Sequence, residues 1–176
     1  LWQLVVPKLK SGKVNDWEFL GMCSSPQVVG DVVFVVTTRG EVVALDALGL
    51  GNGNQGMQEE AENMVAPGLP VQALDPAIDA DILWLYDMPN ELGVFPHNVT
   101  SSSALVVEDR VFVSTSNGVD WSHLDLPAPF APTLIALDRA TGSLLAEEAL
   151  GIGERTLHAN WSSPSWVPPN GGKAGQ

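Results

Sequence analysis

Two stretches of this chain are copies of one another. Ser25, Val28, Asp31, Phe34, Val35 and Gly40 recur as Ser103, Val106, Asp109, Phe112, Val113 and Gly118, each shifted by 78 positions. Ala44-Leu45-Asp46 recurs as Ala136-Leu137-Asp138, shifted by 92, so the second copy carries 14 extra residues between its second and third strands. Six identities at one offset exceed what two unrelated hairpins would share through common turn residues. Ser162-Ser163-Pro164 then opens a third copy, which has not reached its apolar second strand when the sequence ends at Gln176. A period of this size marks a supersecondary unit that buries its faces only against its neighbours.

Each unit reads as short β-strands. In the first copy Val28 and Val29, the run from Val32 to Val36, and the run from Glu41 to Leu45 are separated by turns at Gly30-Asp31 and Arg39-Gly40. Nearly continuous β-branched residues are expected where both faces of a strand are covered. A Gly-, Asn-, Pro- and acid-rich interruption at 47–81, with a short helix expected over 58–65, precedes a fourth strand at Ile82 to Tyr86. Trp84 and Tyr86 there share one face, as Trp17 and Phe19 do earlier. In the second copy the turn Thr141-Gly142 leads to a fourth strand at Leu144 to Glu148, with Ala146 near the place of the tryptophan.

Composition narrows the partners. Eight Lys and Arg against 21 Asp and Glu give a net charge of −13, which repels nucleic-acid phosphates and suits a solvated or cation-attracting surface. With 45% hydrophobic and 16% charged residues the chain is globular rather than disordered, and no window reaches the roughly 20 apolar residues of a membrane span. A lone Cys23 excludes an internal disulfide and a cysteine-rich metal site; it is expected to pack as a small hydrophobe.

Four short strands per unit with strand-closing tryptophans predict an all-β protein, an incomplete arc of a β-propeller built from four-stranded antiparallel blades. The expected divisions are the end of one blade at 1–20, a blade at 21–87 with its insertion at 47–81, a second at 88–149 with its insertion at 119–132, and the start of another at 150–176. Two full blades cannot close a ring, so the rest of the propeller, from further sequence or other chains, is an expected partner.

The residues Asp31 to Val35, Ala44 to Asp46 with Trp84, Asp109 to Val113, Ala136 to Gly142 and Gly12 to Trp17 resemble the PQQ-like β-propeller repeat family. The stretches LGVFPHNVTSSS, SNGVDWSHLDLPAPFAPTLIALD and LHANWSSPS are similar to secreted PQQ-binding-like propellers of planctomycete-like bacteria. That resemblance implies a fold and a periplasmic or secreted address, not a reaction. In the quinoprotein enzymes of the family, a complete ring holds the quinone PQQ and Ca²⁺ in its channel with carboxylate and amide ligands and a catalytic Asp. The vicinal cysteine pair seen in many of them is absent here.

Alternating hairpins place the links between blades and the loops between second and third strands on one edge. That edge is expected to carry Met22 and Cys23, Arg39, Pro96-His97-Asn98, Asp120-Trp121-Ser122-His123, and His158, Asn160 and Trp161, hence all three histidines of the chain. As a site these would supply imidazole ligands or bases, with Asp120 or Asp125 as partner. The simpler expectation has His97 and His158 bonding backbone carbonyls in tight loops and His123 at the surface. Neighbouring blades hold these loops apart, and no HxH or HxxxH spacing pairs two ligands locally.

Other motifs carry less. Gly51, Gly53 and Gly56 spell G-x-G-x-x-G, but Glu59 and Glu60 follow where a dinucleotide phosphate would lie, and Pro67-Gly68 ends the segment too early. Asp46, Asn52 and Asn54 offer a hard cation oxygen ligands without the Ca²⁺-loop pattern, while Asp75, Asp79 and Asp81 read as a solvated turn. The functional expectation is a non-catalytic scaffold, with no resident cofactor, presenting its loop face to a protein or polymer. The alternative is part of a PQQ- and Ca²⁺-dependent oxidoreductase.

Overall fold

The computed structural model describes residues 1–7 and 21–168. The turn expected from Lys8 to Gly12, the strand around Trp17 and Phe19, and the matching Gly12 to Trp17 segment lie outside the described residues. Residues 1–7 hold a single parallel bridge, Gln3 to Asp79, with the Trp2 indole N–H on the Ala47 carbonyl at 2.8 Å.

Two four-stranded antiparallel sheets follow the two copies. The first is β1 (Gln27–Val29), β2 (Val32–Val36), β3 (Glu41–Asp46) and β4 (Ile82–Asp87); the second is β5 (Leu105–Val107), β6 (Arg110–Ser114), β7 (Leu134–Asp138) and β8 (Leu144–Glu147). Strand order in each is the order of the chain. The registers repeat as the sequence does. Gln27 faces Phe34 as Leu105 faces Phe112, and Val32 faces Asp46 as Arg110 faces Asp138. An irregularity falls between Ala44 and Leu45 in one sheet and between Ala136 and Leu137 in the other. Trp84 lies opposite Ala44, and Ala146 opposite Ala136, so Ala146 occupies the tryptophan's register position. The first hairpin of each sheet turns through a left-handed residue, Gly30 (φ 60°) in one and Glu108 (φ 54°) in the other.

The sheets stack front to back. Phe34, Val36, Val42, Ala44 and Trp84 of the first bury against Val111, Val113, Ile135 and Leu137 of the second. By the repeat, those second-sheet residues correspond to Val33, Val35, Val43 and Leu45, which in the first sheet lie on the opposite face. That face is covered instead by Trp2, Met57, Met64 and Ala80. Each sheet therefore offers one kind of surface on its front and another on its back, a heterologous contact that can propagate. The Trp84 indole lies over Gly142 and donates to the Arg139 carbonyl at 3.0 Å. A Cβ at Gly142 would meet the Trp84 ring at 2.5 Å.

Serines stitch the copies together at their openings. The Ser25 amide donates to Ser103 Oγ, and the Ser103 amide to Ser163 Oγ, both at 2.9 Å. β1 and β5 lie against one another, and the Val106 amide donates to Gln27 Oε1 at 2.7 Å.

The insertion 47–81 folds as loops around a 3-10 turn at Gly49–Asn52 and a helix, α1 (Glu60–Asn63), shorter than the one expected over 58–65. A second helix, α2 (Met88–Leu92), opens the link between the sheets; Asp87 caps it by accepting the Asn90 amide at 3.0 Å. Asp79 accepts the Asp75 amide at 2.8 Å, as a turn would, but Asp81 is fully buried, so the expected solvated cluster does not hold. Cys23 is exposed rather than packed. No helix among the described residues is long and apolar enough to cross a membrane.

One buried carboxyl links the fold to pH. Glu41, 4% exposed, accepts the Thr37 hydroxyl at 2.8 Å and pairs with Arg39 at 3.0 Å. Burial dominates and pushes its carboxyl above the ordinary value of 4.5, with Arg39 and Thr37 pulling the other way. A carboxyl raised on folding contributes stability that is fully present below the unfolded value and is lost as pH rises through the folded one. Glu41→Gln removes that loss. Its unfolding free energy relative to wild type is expected to climb as pH rises from about 4.5 toward neutrality; a flat difference in urea titrations across that range would contradict it.

Candidate metal centre

Three chain segments converge at one edge of the second sheet. Residues 95–97 run beside 116–118, with the His97 amide on the Ser116 carbonyl at 3.2 Å and the Gly118 amide on the Phe95 carbonyl at 3.0 Å. On the far side of 118 comes Ala159, bridged to Gly118, with the Val119 amide on the His158 carbonyl at 2.7 Å. Gly118 permits this approach, because a Cβ there would sit 2.2 Å from the His158 carbonyl oxygen. The third segment is the insertion after β6. Asp120 accepts the Ser122 amide at 2.9 Å, and His123 turns back in the left-handed region (φ 61°) with its amide on the Asp120 carbonyl at 3.1 Å.

The result is a cluster of His97, His123 and His158 whose candidate ligand nitrogens all lie within 4.8 Å of one another. His97 is buried, and the other two are exposed. Ring centroids are 4.5 Å apart for His97 and His158, 4.7 Å for His97 and His123, and 5.1 Å for His123 and His158.

Hydrogen bonding sets the tautomers. His97 Nδ1 is 2.8 Å from the Val119 carbonyl and His123 Nδ1 is 3.1 Å from the Trp121 carbonyl. A carbonyl can only accept, so both Nδ1 atoms carry the proton in the neutral rings and each Nε2 keeps its lone pair. Backbone carbonyls on the far nitrogen are the supports that orient metal-binding imidazoles. His97 Nε2 lies 3.0 Å from His158 Nε2, a lone pair facing a second ring nitrogen. Trp161 completes the wall, donating its indole N–H to the His97 carbonyl at 3.2 Å, with its ring 4.9 Å from that of His158.

A tetrahedral ion bound at about 2.0–2.1 Å would need its nitrogens about 3.3 Å apart. The cluster spans that spacing, and the exposed His123 and His158 can close on an ion by small side-chain rotations. Three imidazoles leave a fourth position for water or a ligand atom. Zinc suits neutral imidazole and tetrahedral geometry.

No protein-family model matches the chain, and no curated protein matches it. The residues expected on this edge are distributed as follows. Asn98 follows His97 in the left-handed region (φ 62°). The Asp120 carboxylate turns to the Ser122 hydroxyl and amide; the hydroxyl above all, with the amide beside it, holds it below the usual carboxylate range. The Asp125 carbonyl accepts the Asp120 amide at 2.8 Å. Trp121 is exposed and acts on the cluster through its carbonyl. Asn160 donates to the Thr133 carbonyl at 3.4 Å. Arg39 stays with the first sheet, paired to Glu41 and donating to the Asn63 carbonyl at 3.1 Å.

Two parts of the simpler expectation for the histidines hold, since His97 bonds a backbone carbonyl and His123 is at the surface, while the His158 ring meets His97 Nε2 at 3.0 Å. Its premise that the loops stay apart does not hold, because 95–97, 116–119 and 158–159 pair as short strands beyond the named sheets. Trp161, which strand counting places on this edge, completes the site together with Gly118, which was not among its expected members. The signal for Gly118 is its tight contact with the His158 carbonyl, a feature that the match to Gly40 obscured.

Proposed function

We propose that this chain is an arc of a β-propeller whose loop edge carries a three-histidine transition-metal site, and that this site is where the scaffold engages its ligand. The convergence of His97, His123 and His158 within 4.8 Å, with two rings oriented by backbone carbonyls, carries the reading. The bound ion, zinc by its ligand preference, offers its fourth position to a donor atom of a protein or polymer lying across the edge. An overall charge of −13 favours cation capture.

The propeller part rests on the repeated four-stranded sheets, their front-to-back stacking and the serine links from copy to copy. A further blade would accept the Ser163 amide as Ser103 accepts that of Ser25, and would cover the Phe112 face that Trp166 now touches (ring centroids 6.3 Å). Propeller blades stack in this way, with first strands innermost.

Zinc titration against a chromophoric competitor tests the reading. The folded chain is expected to take up one ion with a dissociation constant of about 1 μM or tighter. Uptake no stronger than that of the unfolded chain would contradict it.

A further inference from the structure

We infer that Glu60 and Asp81 form a second, enclosed cation site, selective for a hard divalent ion of the Ca²⁺ class and independent of the histidine centre. Glu60 is 1% exposed and Asp81 is fully buried. The loop before α1 is pressed onto β4: a Cβ at Gly56 would lie 2.2 Å from the Ile82 carbonyl oxygen, and the Met57 amide bonds that oxygen at 2.8 Å. This close approach seats the loop over Asp81, the residue that precedes β4.

Each carboxylate is held by one oxygen. Asn54 Nδ2 donates to Glu60 Oε1 at 2.6 Å, and the Gln55 amide donates to Asp81 Oδ2 at 2.8 Å. The other two oxygens, Glu60 Oε2 and Asp81 Oδ1, are buried with no hydrogen-bond partner. Among the described residues neither carboxylate is paired with a Lys, Arg or His. Asn54 and Gln55 are neighbours in the chain, so the loop they belong to holds both acids; burial chiefly, with the charges of Asp81 and Glu59 adding to it, pushes the Glu60 carboxyl up.

Buried carboxylate oxygens without donors are costly, and two of like charge more so. A hard cation satisfies both, because Ca²⁺ takes carboxylate oxygens in flexible geometry where zinc prefers nitrogen. The oxygen-rich loop thus has a role, although Asp46 does not share it: its oxygens accept the Leu48 amide at 2.6 Å and Asn52 Nδ2 at 3.2 Å.

The test is calorimetric titration of the whole chain with Ca²⁺, beside thermal unfolding in millimolar Ca²⁺ or in EGTA. One Ca²⁺ per chain and a rise in Tm of about 5 °C are expected, both retained when the exposed His123 and His158 are replaced. Asp81→Asn, which keeps the Gln55 bond, and Glu60→Gln should each weaken Ca²⁺ at least about tenfold. Absence of Ca²⁺ heat and of a Tm shift in the wild type overturns the inference, and a Tm raised by Glu60→Gln alone would then assign the pair a shared proton. Unchanged Ca²⁺ affinity in both variants overturns it too, since the ion would be held elsewhere.

Discussion

Alanine at His158 is expected to weaken zinc binding by about 100-fold or more, some 2.7 kcal/mol, with the far-ultraviolet circular dichroism unchanged. His158 brings its Nε2 to 3.0 Å from that of His97, so its ring is the first to share an ion with the buried histidine. It is also exposed, and its backbone bond to Val119 survives the substitution. His123→Ala should have a similar effect for the same reasons. His97→Ala is a poorer probe: the ring is fully buried, bonds Val119 and lies 5.9 Å from Trp161, so its removal also opens a cavity. Zinc affinity in His158→Ala and His123→Ala equal to wild type would remove the centre from the account.

The second large effect concerns the sheets. Trp84→Ala is expected to cost about 3–5 kcal/mol in urea unfolding. Trp84 is 7% exposed, sits 6.0 Å from the Phe34 ring and bears on Gly142 of the neighbouring sheet. Its N–H bond to Arg139 is a further tie between sheets, worth about 1 kcal/mol net. Trp84→Phe keeps most of the apolar contact and loses the bond, so it should cost clearly less. A loss below about 1 kcal/mol for Trp84→Ala would mean that this tryptophan does not couple the two repeats.

The strands were legible because their determinants are local. Val32 to Val36 and Val111 to Val113 declare themselves by β-branching, and the turns by Gly30 and by Asp138, whose carboxylate accepts the Thr141 amide at 2.8 Å. The repeat carried even the register: the first two strands match at an offset of 78, the third at 92, and Ala146 stands in the place of Trp84. The histidine centre was half legible. Strand counting put all three rings on one edge, but their convergence depends on pairing between 118 and 159, to which no periodic pattern in those loops points. Asp81 was misread as solvated because its burial comes from a loop packed through Gly56, a contact made across 26 residues of sequence between Gln55 and Asp81. Helix α2 escaped notice because a five-residue turn set by an Asp cap and Pro89 has no apolar period to find.

Whether the three imidazoles share one ion is measured directly by X-ray absorption of the zinc-loaded chain. Three nitrogen neighbours at about 2.0–2.1 Å, with the multiple scattering of imidazole rings and one further light ligand, are expected. A shell of oxygens without imidazole scattering, or a sulfur neighbour from Cys23, would contradict it.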